Sequence, residues 1–114
     1  MDPESIEDLF RDLGPVRIRR MFGGKGIYAG DRMFALEAGG EIYLKTDDAN
    51  RAAFEAERCR PFVFEAKGKS TATSYWTMPA EGLDDPAAAA HWGRMAVEAA
   101  ARAAAAKLPK RRKA

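Results

Sequence analysis

Apolar positions recur along this chain at two periods, and the switches between them divide it into elements. Ile6, Leu9, Phe10 and Leu13 stand at i, i+3, i+4 and i+7, the inner stripe of a helix that Asp2 can cap and Pro3 can open. Gly14-Pro15 ends it. Val16 to Met21 alternates poorly because Arg17, Arg19 and Arg20 crowd it, so it reads as extended chain and not as a member of a sheet. Three short strands are predicted next: Gly26 to Ala29, Arg32 to Glu37 and Glu41 to Lys45. Connections as short as Gly30-Asp31 and Ala38-Gly39-Gly40 require antiparallel hairpins. Thr46-Asp47-Asp48 offers capping oxygens for a second helix reaching about Arg58, weakly amphipathic, with Phe54 its main large apolar residue. Strands Phe62 to Ala66 and Thr71 to Met78 follow, joined by Lys67-Gly68-Lys69-Ser70. After a loop from Pro79 to Asp84, Asp85 caps and Pro86 opens a long helix running to about Lys107. Ala88, Trp92, Met95, Ala96, Ala99 and Ala103 line one of its faces, and Arg94, Glu98 and Arg102 the other. Its second half is nearly all alanine, which forms helix readily but buries little area. That half must either pack very closely or project into water.

The order α-β(3)-α-β(2)-α predicts an α+β fold: a mainly antiparallel five-stranded sheet with helices on one side. A chain of 114 residues, 46% apolar and 32% charged, suits one folded domain. Its expected extent is 1–107, and Leu108-Pro109 begins a basic tail, 108–114, expected to be disordered.

Charge narrows the choice of partners. The net charge is +2, but Lys107, Lys110, Arg111, Arg112 and Lys113 supply five of the 19 cations. The remaining 14 face 17 acidic residues, so the body carries −3. Those five residues are the candidate nucleic-acid contacts, weak and indifferent to sequence. The N-terminus begins acidic and amphipathic, unlike a secretory signal, and no run approaches the ~20 apolar residues that span a bilayer. A single cysteine, Cys59, fits a reducing compartment, and the expected location is the cytoplasm.

Catalytic patterns are sparse. His91 is the only histidine and sits in the alanine-rich helix, while Cys59 lies between Arg58 and Arg60, which can lower a thiol's pKa. One cysteine and one histidine make neither a typical zinc site nor a convincing dyad. Asp47-Asp48 and Asp84-Asp85 stand where helices begin and read as caps. Gly68-Lys69-Ser70 copies the end of a P-loop, but Val63 occupies the position of its first glycine and the tripeptide joins two strands, so a hairpin turn is expected. Phe34 with Leu36, and Phe62 with Phe64, alternate as core-facing pairs should. No enzyme, metal or cofactor is expected.

The segment Arg20-Met21-Phe22-Gly23-Gly24-Lys25-Gly26-Ile27-Tyr28 is the densest motif, and Met21, Phe22, Gly23, Gly24 and Gly26 are expected to be structural, forming a sharp bend or close backbone approach. With Met33 to Leu36, Ile42 to Lys45, Phe62 to Phe64, Ser74-Tyr75-Trp76-Thr77-Met78-Pro79, and Asp85-Pro86 leading to Trp92 and a final alanine-rich helix, it resembles the N-terminal domain of the TfoX/Sxy family over roughly Ser5 to Ala105. The resemblance implies a secretion-chaperone-like α-β(3)-α-β(2)-α domain and a non-enzymatic regulator. The best-known members of the family help switch on bacterial competence genes together with a cyclic-AMP-responsive activator. Those regulators carry a second, C-terminal domain, and this sequence ends in the basic tail. The expected role is a protein-interaction module for a partner in the transcription machinery, with homo-oligomerisation left open. The alternative is nucleic-acid association through the tail.

Overall fold

The computed structural model describes residues 1–21 and 23–107. The chain runs α1 (Pro3–Leu9), β1 (Arg17–Met21), β2 (Gly24–Ala29), β3 (Arg32–Ala38), β4 (Glu41–Lys45), α2 (Arg51–Ala56), β5 (Pro61–Ala66), β6 (Lys69–Thr77), α3 (Ala80–Asp84) and α4 (Pro86–Lys107). The strands form one antiparallel sheet in the order β1-β2-β3-β4-β6-β5. The α+β class with an antiparallel sheet is therefore as expected, but the sheet has six strands and not five. The additional strand is β1. Its arginines are exposed on both faces because β1 is an edge, while Ile18 opposite Ile27 is its one inward contact.

Three local expectations change with the structure. Helix α1 stops at Leu9 and continues as turns through Phe10 and Leu13 to Gly14. Helix α2 starts later than Thr46-Asp47-Asp48 suggests. The Asp47 carboxylate accepts the N–H groups of Ala49 (3.0 Å) and Asn50 (3.1 Å) in a turn, and Asn50 returns its Oδ1 to the N–H of Asp47 (2.8 Å). The predicted loop from Pro79 to Asp84 contains α3, whose five residues are too few to show a period. Elsewhere the expected devices are present. Asp2 accepts the Ser5 N–H at 2.8 Å to cap α1, and Asp85 accepts the Ala87 N–H at 3.1 Å at the start of α4. Lys67 (φ 53°) and Gly68 (φ 76°) make the two-residue turn between β5 and β6.

The core lies between one face of the sheet and the helices. Phe10 of the α1 extension meets Phe34 edge to face at 5.3 Å, and Phe54 of α2 meets Trp92 of α4 at 5.0 Å. Helix α4 brings Ala89, Ala96 and Ala100 against this layer, and a β-carbon at Gly93 would stand 3.1 Å from Leu13 Cδ2 and 3.3 Å from Phe10 Cε1. The alanine-rich half thus does both things expected of it: Ala96, Ala99 and Ala100 are buried, and Ala105 to Lys107 project into solvent. Two polar ties fix α4 further. Asn50 is buried and donates from Nδ2 to the carbonyls of Lys45 (3.3 Å) and Met95 (3.2 Å), and Trp92 Nε1 donates to Glu81 at 2.8 Å, binding α3 to α4.

Phe34 and Leu36 are not a core-facing pair. A register shift between Ile27 and Tyr28 leaves Phe34 as an extra residue opposite β2, so Phe34 and Ala35 are both buried. Leu36, opposite Gly26 and Tyr43, faces the other way.

Glu37 is buried at the corner beside Gly24, where its carboxylate takes the N-terminal ammonium (3.2 Å), Lys25 (3.5 Å) and the Gly40 N–H (2.9 Å). Burial alone would raise its pKa, and those three donors together hold it below the ordinary carboxylate value. With the folded value depressed, the carboxylate stabilises the fold above the unfolded pKa, and that contribution is lost as pH falls through the folded one. Glu37→Gln should therefore be less stable than the parent at pH 7, with the gap narrowing below about pH 4, as denaturant midpoints at both pH values would show. A β-carbon on Gly24 would overlap the Glu37 carbonyl oxygen, whereas Gly23, at φ 79°, is open in space but conformationally restricted. Gly24→Val should cost about 3 kcal/mol and Gly23→Val about 1–2 kcal/mol in chemical denaturation. At the end of α2, Arg58 holds φ 61° while the Cys59 N–H reaches the Phe54 carbonyl (3.0 Å) and the Arg58 N–H that of Glu55 (2.9 Å), a Schellman closure. Arg58→Gly should stabilise the protein by about 0.5–1 kcal/mol, measured the same way.

Candidate functional site

The face of the sheet opposite the helices is not flat. Tyr43 of β4 and Phe62 of β5 meet edge to face with centroids 5.0 Å apart. The sheet curls so far that Phe62 and Phe64, on the last strand of the hydrogen-bonded order, line one cleft with Met21, Gly24, Leu36 and Ala38 from the first strands. The cleft encloses about 340 Å³, counting space open to solvent. Phe62 and Phe64 are thus not the inward pair that alternation suggested. Val63 and Phe64 are exposed at 44% and 38%, and a register shift between Pro61 and Val63 rotates this strand relative to β6. Strand alternation identifies two faces but cannot say which one a curled edge strand turns inward.

The glycine motif frames this cleft. Met21 pairs with Gly24 where β1 meets β2, and Gly24 lies against the backbone of Glu37 with no room for a side chain. At Gly26 a β-carbon would stand 2.7 Å from Met21 Sδ and 3.1 Å from Met33 Sδ, so the two thioethers lie over the bare backbone on the uncovered face. Close packing at Gly24 and Gly26, and the positive φ at Gly23, are what the cluster of glycines signals in the sequence. The cleft beside them leaves no such mark. Phe22, the remaining residue of the motif, lies outside the described residues.

The basic residues near the motif do not form one patch. Arg17 and Arg19 flank Tyr28 on the uncovered face, with the Arg19 guanidinium 5.9 Å from the centre of its ring. Arg20 pairs with Lys25 on the opposite face, where Lys25 is already engaged by Glu37. Of the tail cations, Lys107 is the last residue of α4 and exposed. Lys110, Arg111, Arg112 and Lys113 lie outside the described residues.

The remaining chemical candidates are separate. His91 is exposed with its ring 5.5 Å from Trp92, and no hydrogen bond links it to Cys59. Burial pushes the Cys59 thiol up, outweighing the Thr77 hydroxyl beside it and the positive charge of Arg60. That is opposite to the effect flanking arginines suggest, because Cys59 turns toward the core and the arginines do not. Lys69 and Ser70 lie within β6, with the Ser70 hydroxyl on Glu65 at 3.2 Å, as a hairpin requires. Among the described residues no group of three or more histidine, cysteine or acidic side chains could hold a metal ion, and no helix is long and apolar enough to cross a membrane.

A search of curated proteins gave no match to this chain. The family profile described as the TfoX N-terminal domain matches residues 8–100, a span that holds the glycine motif, all six strands and the inward part of α4. With well over half of its length covered by that profile, the chain belongs to the TfoX N-terminal domain family.

Proposed function

We propose that the protein is a non-enzymatic regulatory domain that receives a protein of the transcription machinery on the curled face of its sheet. The observation that carries this reading is the apolar cleft between Met21, Leu36, Phe62 and Phe64, set against a backbone corner that the glycines make rigid. A concave surface that is mostly apolar and carries Lys25 and Glu37 in its lining offers burial together with polar contacts, the layout of a protein interface. Membership of the TfoX N-terminal domain family points the same way, toward regulation and competence-related roles. A thiol whose pKa burial raises and an exposed histidine on another element are poor materials for nucleophilic catalysis.

The second reading, nucleic-acid association, rests on the five cations of 107–113. Five charges can neutralise at most about five phosphates, so log K for duplex DNA should fall with log salt at a slope no steeper than about −4.5.

One comparison separates the two. Tagged wild-type protein should retain an identified polymerase subunit or transcription activator. Phe64→Glu, checked for an intact fold by its melting curve, should weaken that association by at least about tenfold. Replacing Lys110, Arg111, Arg112 and Lys113 by alanine should leave the association unchanged while removing any affinity for labelled duplex at near-physiological salt. Retention of the partner by Phe64→Glu and its loss from the tail variant would reverse the assignment.

A further inference from the structure

We propose that a second concavity, at the far end of α4, binds a small phosphorylated polyanion of the pyrophosphate class, held by Arg32, Lys45 and Lys107. The three side chains line one open depression of about 510 Å³, counting space open to solvent, where the last turns of α4 pass the beginning of β3, the end of β4 and Tyr75 of β6. Arg32 and Lys45 stand on the adjacent strands of one hairpin and Lys107 comes from the far end of α4, so the gathering of charge is a product of the fold and not of a basic run.

Each cation has unused binding capacity. Lys45 is half-buried; its ammonium donates to Ser74 Oγ at 2.6 Å and lies 5.2 Å from the centre of the Tyr75 ring, which leaves two of its three hydrogens for a ligand. Among the described residues, neither Arg32 nor Lys107 is paired with a carboxylate. The acid nearest in effect, Asp47, is held by Arg102 through two bonds of 2.6 and 3.1 Å and is therefore largely neutralised. Burial first, and then the neighbouring charge of Lys107, lower the Lys45 pKa, and Asp47 offsets them only in part.

The shape favours a compact anion. Ala103 and Ala104 form the α4 wall, and because they are small they leave the depression open between the cations. The helix presents its C-terminal, electronegative end here, so attraction for an anion comes from the side chains and not from the backbone dipole. A planar guanidinium and two ammonium groups suit adjacent phosphoryl groups, which accept several charge-assisted hydrogen bonds at once. This inference is independent of the cleft on the curled face.

Isothermal titration of the full chain with inorganic pyrophosphate, at constant ionic strength in chloride, tests it. One site should appear, tighter for pyrophosphate than for inorganic phosphate. Arg32→Ala, Lys45→Met and Lys107→Ala should each weaken it by about tenfold. Alanine at Lys110, Arg111, Arg112 and Lys113 should leave the affinity unchanged. Should Lys45→Met fail to fold, the exposed Arg32 and Lys107 variants carry the test alone. Absence of binding at millimolar pyrophosphate, equal affinity in the Arg32 and Lys107 variants, or loss of affinity only in the tail variant would overturn the proposal. So would displacement of pyrophosphate by a short oligonucleotide lacking terminal phosphates, since the depression would then serve a nucleic-acid backbone.

Discussion

Helix α4 can lie close to the rest of the domain only because the residues it turns inward are small. Ala89, Gly93, Ala96 and Ala100 contribute little apolar area of their own, and the volume is filled from the other side by Phe10, Phe34 and Phe54. Trp92 is the exception, with its ring against Phe54 and its indole N–H on Glu81. A side chain at position 93 would push Phe10 and Leu13 away, and with them the whole N-terminal helix. The large residues of the core therefore belong to α1, α2 and the sheet, and α4 supplies the smooth surface on which they close.

Among the described residues the helices pack on one face of the sheet, and the other face must gather its apolar residues itself. It does so by curling. The extra residue at Phe34 bends β3, the shift near Pro61 rotates β5, and Phe62 and Phe64 come round toward Met21 and Leu36. The result is a fold with one dry side and one concave, partly wetted side. Where packing is tightest, at Gly24 and Gly26, backbone replaces side chain as the contact surface.

Much of this was legible in the sequence, for identifiable reasons. Helix α4 announces itself through Asp85-Pro86 and a sustained period, and the hairpins through turns whose residues permit few alternatives. Strand β1 was hidden because an edge strand has little need of alternation, and α3 because a single helical turn containing Gly82 has no period to display. Phe34 was paired with Leu36 because period-two reasoning assumes a regular ladder and the ladder is interrupted beside Phe34, whereas Phe62 and Phe64 do share a face and alternation could not say which one. The glycine motif was visible as a constraint on the backbone, but the cleft next to it also depends on Phe62 and Phe64, far along the chain on β5. No local pattern carries that information.

The arginines of β1 have one more consequence. Among the described residues the strand sits at the border of the sheet with no strand on its outer side. A row of unpaired amides and carbonyls in that position is a template on which another chain can extend the sheet. Arg17, Arg19 and Arg20 weigh against such growth, because they place charged side chains on both faces of the strand against which any added chain would have to lie. The feature that hides β1 from pattern recognition is thus also the one that makes this border a poor template for further strands.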